Sequence, residues 1–191
     1  MEILSKEETF LNKIRLHKEI KKGKIILHPT DTIYGLGCSA EIDNAVRKIR
    51  TIKNDFERPF SIVAPSKEWI KENCVLHERD EEWLDKLPGP YTLILTLKNK
   101  EAVSEEVNMG LSTIGVRIPN HWIAEFVNAI GIPFVSTAAT LEGKELLQHP
   151  KDSNENYHMH VHYAFDDGYL RGRPSTIVDL VQDKPLVRKR D

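Results

Sequence analysis

The 191 residues fit one domain, and a 40% apolar share is enough for a core that needs neither metals nor disulfides. Lys and Arg number 27 against 29 Asp and Glu, and the net charge of −2 argues only weakly against nucleic-acid binding, since a local basic face stays open. Two cysteines without a CxxC pair (Cys38 and Cys74), an acidic and polar N-terminus, and no apolar run near the roughly 20 residues that span a bilayer argue for a reduced, cytoplasmic protein.

Ser5 and Glu8 have capping-box spacing and predict a helix with an apolar stripe of Phe10, Leu11 and Ile14, stopped at Gly23. Ile25 to Leu27 reads as a buried strand and residues 29–37 as a loop. Asp43 is expected to cap a second helix that presents Val46, Ile49 and Ile52 on one face. A strand over 60–64 and a short helix capped by Ser66 follow. The Pro88-Gly89-Pro90 turn introduces a strand over 91–97, and another is expected over 113–118. Asn120 is the expected cap of a helix through Trp122, Phe126 and Val127 that ends at Gly131. The last expected strands are 133–136 and 175–181, and the polar stretch 141–156 reads as a long mobile loop. Several strands succeed one another without a helix, which predicts an α/β fold with a mixed rather than purely parallel sheet.

Candidate chemistry gathers at strand ends. Pro29-Thr30-Asp31-Thr32 leaves a strand and enters a turn closed by Gly35 and Gly37, crowding hydroxyls, a carboxylate and Tyr34 together. The alternative is a turn whose hydroxyls serve only the backbone. Lys53, at the end of the second helix, is a phosphate ligand if the following loop folds back, and otherwise a surface charge matching the helix dipole. Arg117 sits between Val116 and Ile118 in a strand, an awkward place unless its guanidinium meets a carboxylate or phosphate, or forms a structural salt bridge. Ser175 and Thr176 lead into an apolar strand, and Arg188 near the terminus could reach the same cleft. His158, His160 and His162 alternate as in an exposed edge strand; without nearby ligands of suitable spacing no metal site is assigned. No GxSxG, Walker or GxGxxG motif occurs, so catalysis by positioning and charge is expected.

The segments Gly23-Lys24, His28 to Gly37, Ile49 to Lys53, Leu87 to Thr92, Thr113 to Pro119, Ser136-Thr137 and Pro174 to Leu180 resemble, in order and over nearly the whole chain, the YrdC-like family of threonylcarbamoyl-AMP synthases in its short, single-domain form (residues 1–191). The resemblance implies a twisted α/β sheet, mixed parallel and antiparallel with flanking helices, around an open concave cleft. It implies synthesis of threonylcarbamoyl-AMP from L-threonine, bicarbonate and ATP, with Mg2+ accompanying the ATP, for transfer to tRNA by partner proteins. Carried over, Thr32, Tyr34, Arg117 and Ser175 would line the threonine and bicarbonate side, and Lys53, Thr113 and Arg188 the nucleotide side. The family's KxR reads Lys53-Asn54-Asp55 here, and its SxN reads Ala138-Ala139-Thr140. Arg58, Thr137 and Thr140 are the residues placed to stand in for what these motifs lose. Two other functions are compatible with those changes: a module that binds a nucleotide, tRNA or double-stranded RNA, and an enzyme of related carbamoyl-adenylate chemistry with another acceptor.

Overall fold

The computed structural model describes residues 1–141 and 145–190. The strands are β1 Glu2–Leu4, β2 Ile26–His28, β3 Gly35–Gly37, β4 Ser61–Val63, β5 Tyr91–Thr96, β6 Thr113–Arg117, β7 Phe134–Ala138, β8 Tyr163–Phe165, β9 Thr176–Asp179 and β10 Leu186–Arg188. They form one sheet in the order β1-β8-β2-β3-β7-β4-β6-β5-β9-β10. The β1–β8, β2–β8, β4–β6 and β5–β9 ladders are parallel and the others antiparallel, which makes the sheet mixed, as expected. The helices are α1 Lys6–Leu11, α2 Lys13–Lys21, α3 Asp43–Lys53, α4 Lys67–Asn73, α5 Glu81–Asp85, α6 Glu105–Asn108, α7 Trp122–Ile130 and α8 Glu155–His160.

Register assigns the two faces of the sheet. Leu36 opposite Leu27, Ile62 opposite Val135 and Val116, and Val116 opposite Leu93 share one face, because paired residues point the same way. They build the larger core, to which α3 adds Ala45, Val46 and Ile49. On the other face Ile26, Val63 and Phe134 pack with Leu16 and Ile20 of α2 and with Trp122, Ile123, Phe126 and Val127 of α7. That second face keeps its bulk only under α2 and α7. Farther along, the rung reads Gly115, Ser61 and Ser136, and the small side chains leave a hollow.

Local signals explain most element ends, and several expectations need correction. The Ser5–Glu8 capping box starts α1, but the helix stops at Asn12, whose side-chain amide donates to the Glu8 carbonyl at 2.8 Å. The break changes the phase of the helical face. Leu11 and Ile14 are therefore 86% and 73% exposed, and burial passes to Thr9, Leu16 and Ile20. Gly23 does close α2, with φ +80. Residues 29–37 are not all loop, since Gly35–Gly37 pairs with β2 and β7. Asp43 is the first residue of α3 rather than its cap, which is Ile42. His121, not Asn120, caps α7, its Nδ1 accepting from the Ile123 N–H. The loop expected over 141–156 contains a bridge between Thr140 and Leu146, a 3-10 turn at Pro150–Asp152 and the start of α8; residues 142–144 lie outside the described residues. The three histidines do not alternate along a strand: His158 and His160 are in α8, which Asn154 caps by accepting from the Tyr157 N–H, and His162 follows it.

Candidate active site

The hollow is a cavity of about 340 Å³ lined from many parts of the chain. Gly35, Ser61 and Ser136 form its floor. A β-carbon on Gly35 would come within 2.8 Å of the His28 ring and 3.1 Å of Ser136 Oγ, so only glycine lets these strands pack here. Ser61 Oγ donates to the Ser136 carbonyl at 3.0 Å. Beneath Gly35, His28 is fully buried, and burial pushes its pKa down to about 3, so the ring is neutral. Its Nδ1 donates to the Pro29 carbonyl at 3.3 Å, and its Nε2 is buried without a partner.

Arg117 enters from β6, on the rung of Val63. Its Nη2 donates to Asp31 Oδ1 at 2.5 Å, and both Nη groups lie 3.4 Å from Thr32 Oγ1. Asp31 is held in turn by the Asn120 N–H at 2.9 Å. Burial, ahead of the attraction of Asp31, draws the Arg117 pKa below its ordinary value, and its Nε has no partner among the described residues. A buried donor left unpaired costs free energy, so this arginine is set to receive an acceptor.

Lys53 closes another wall from the end of α3. Its Nζ donates to the Ala138 carbonyl at 2.6 Å and to Thr140 Oγ1 at 3.3 Å. Burial lowers its pKa, and Asp55 partly offsets that. Asp55 and Arg58 reach the cavity on a loop clamped by Arg50, a buried arginine of α3. The Arg50 guanidinium donates to the carbonyls of Asp55 (3.2 Å), Arg58 (2.9 Å) and Glu106 (2.5 Å), and lies 4.3 Å from the Phe60 ring centre. On the far wall, Arg190 donates from Nε to the Ser175 carbonyl at 2.8 Å and from Nη2 to Ser175 Oγ at 2.7 Å. Ser175 Oγ also lies 2.7 Å from Thr92 Oγ1. Among the described residues, four cations (Lys53, Arg58, Arg117 and Arg190) thus line the cavity with a single carboxylate, Asp55. Such a wall attracts oxyanions.

Seven of the expected residues line this one cavity: Lys53, Arg58, Arg117, Tyr34, Thr137, Thr140 and Ser175. The others stand elsewhere. Thr32 lies behind Arg117 as its acceptor, bonded to Thr30 Oγ1 at 2.9 Å. Thr113 opens β6 opposite Thr96 and is not in the lining. Arg188 on β10 and Arg190 just beyond it are both exposed, and Arg190 is the one that lines the cavity. Tyr34 contributes to the lining, but its hydroxyl is committed elsewhere, donating to the Gly168 carbonyl at 2.8 Å and accepting from the Asp167 N–H at 3.0 Å. With Trp122 Nε1 donating to Asp167 at 2.8 Å, it fixes the turn from which residues 169–174 cross to Ser175. Asp31 was visible in the Pro29–Thr32 cluster, but its role as partner of Arg117 depends on the fold. Arg50 and Arg190 carried no local signal separating them from surface charges.

The comparisons fit this geometry. A family profile named for Sua5, YciO and YrdC and described as "Telomere recombination" matches residues 18–190. The chain belongs to this family. It is 31% identical to a threonylcarbamoyl-AMP synthase of Pyrococcus abyssi over 173 residues, covering 88% of this chain and 50% of that protein. It is also 31% identical to the uncharacterized protein YciO of Escherichia coli K12 over 172 residues, covering 88% and 83%. The structure of P. abyssi Sua5 complexed with L-threonine superimposes with a TM-score of 0.85 at 28% identity, covering 97% of this chain and 56% of Sua5. E. coli YciO gives 0.85 at 27% identity, covering 99% and 94%. The family fold is the mixed sheet with flanking helices described above. No helix among the described residues is long and apolar enough to cross a membrane.

Proposed function

We propose that the protein is an L-threonylcarbamoyladenylate synthase. Related proteins bear that name, and a neighbour of the same fold has been solved with L-threonine. The observation that carries the reading is Arg117, buried in the cavity wall with its Nε unpartnered beside a hydroxyl-rich floor. A guanidinium so placed suits a carboxylate or bicarbonate. In the proposed reaction the amine of threonine attacks bicarbonate, water is lost, and a carbamate forms. A carbamate oxygen then attacks the α-phosphorus of ATP, and pyrophosphate leaves. Arg117 would hold the carboxylate or bicarbonate, while Lys53 and Arg58 would neutralise phosphate charge. Magnesium carried with ATP would supply further neutralisation, and Asp55, the one carboxylate in the lining among the described residues, is a side chain able to meet it. Transfer of the product's threonylcarbamoyl group to tRNA by partner proteins follows from the same reading.

The test is pyrophosphate release from ATP with magnesium and bicarbonate, with and without L-threonine. Threonine-dependent release that falls at least about 100-fold in Arg117→Ala is the expected result. Release that ignores threonine, or none at all, overturns the proposal.

A further inference from the structure

Arg190 differs from Arg117, one of the two other arginines lining the cavity, in how its charge is met. Arg117 has Asp31 at 2.5 Å, whereas among the described residues no ion pair joins Arg190 to a carboxylate. Its two bonds go to neutral oxygens of Ser175 and use two of five N–H donors. Ser175 is itself fixed, buried and hydrogen-bonded to Thr92 on β5, so the guanidinium is anchored rather than loose. The positive charge of Arg190 acts on Arg117 and, with burial, lowers its pKa. Two guanidiniums facing one cavity repel each other unless an oxyanion lies between them. The unpartnered Arg117 Nε is a buried donor able to bind the same group.

We infer that Arg190 is a ligand-anchoring residue, forming with Arg117 a two-guanidinium clamp for an oxyanion of the substrates, and that it rather than Arg188 does this work. The chemistry recognised is that of a carboxylate or phosphate group, presented by an amino acid or a nucleotide. The inference takes these two candidate ligands from the synthase reading, but the clamp itself can be tested without turnover.

The experiment measures by calorimetry the binding of ATP, L-threonine and inorganic pyrophosphate, each alone, to the wild type, Arg190→Ala, Arg190→Gln and Lys189→Ala. Lys189→Ala removes the same charge from an exposed neighbour. Arg190→Ala and Arg190→Gln are each expected to raise the Kd of at least one ligand tenfold or more, with Lys189→Ala within twofold of wild type. Joint loss of ATP and pyrophosphate assigns the clamp to phosphate, and loss of L-threonine alone assigns it to the carboxylate. Binding of all three ligands within twofold of wild type in both Arg190 variants overturns the inference. So does an equal loss in Lys189→Ala, which would reduce the effect to bulk charge, and so does a wild type that binds none of the three. Failure of the synthase reading shows separately, as absent threonine-dependent pyrophosphate release from a protein that still binds pyrophosphate through Arg190.

Discussion

Single buried side chains set the chemistry of the cavity and also leave measurable traces in stability. His28 has a pKa near 3 in the folded protein because burial opposes its charged form, against about 6.5 for an ordinary histidine. The unfolded chain therefore takes up a proton below about pH 6.5 that the folded chain refuses. Stability from this group is complete above that pH and is lost as pH falls toward 3. At pH 5 the loss is about 2 kcal/mol. Urea denaturation of wild type and His28→Gln at pH 7 and pH 5 checks this. The wild-type advantage over His28→Gln is expected to shrink by about that amount, and a difference independent of pH would refute the assignment.

At the scale of elements, one loop supplies part of the cavity wall and one segment packs behind the turn that supplies the partners of Arg117. The loop bearing Asp55 and Arg58 is tied to α3 by Arg50, whose fork serves the carbonyls of Asp55, Arg58 and Glu106. Lysine cannot reproduce that fork. Arg50→Lys is expected to cost about 3 kcal/mol, seen as a lower urea midpoint, and to weaken ATP binding because the loop loses its anchor. An unchanged midpoint would mean the loop is held by other contacts. The segment 169–174 lies so close to the turn at Thr32 that a β-carbon on Gly172 would overlap the Thr32 carbonyl oxygen. Gly172→Ala must push the segment away and disturb the hydroxyl that Arg117 uses. A loss of about 1–3 kcal/mol is expected by thermal or urea unfolding, together with weaker L-threonine binding; a neutral substitution would show that the segment shifts freely.

For the whole molecule, the mixed sheet was legible because strands followed one another without helices, and the pattern of β6 already separated its two faces. Thr113-Ile114-Gly115-Val116-Arg117 puts Ile114 and Val116 into the core and leaves Arg117 to the hollow. The short strands β1, β3, β8 and β10 were missed because three residues give little periodicity and these lack the apolar run that made the equally short β2 and β4 legible. The choice between Arg188 and Arg190 was beyond the sequence for another reason. A run of basic residues looks alike at each position, and only the folded path of the chain beyond β10 brings Arg190 against Ser175. The turn reading of Thr30 holds. Thr30 Oγ1 does serve the backbone, accepting from Thr32 and Ile33, while the turn it shapes supplies the partners of Arg117.

The strand order has a consequence for how the protein comes into being. Cavity residues run from Thr30 to Arg190, and β3, β7, β4, β6, β5 and β9 meet in an order unlike their order along the chain. Tyr91 pairs with Thr176 and Ile26 with Tyr163, so the mean sequence separation of contacts, the contact order, is large. High contact order slows folding, because distant segments must find each other before any pairing rewards the search. No short fragment of this chain holds the cavity lining, which is assembled only with the complete sheet.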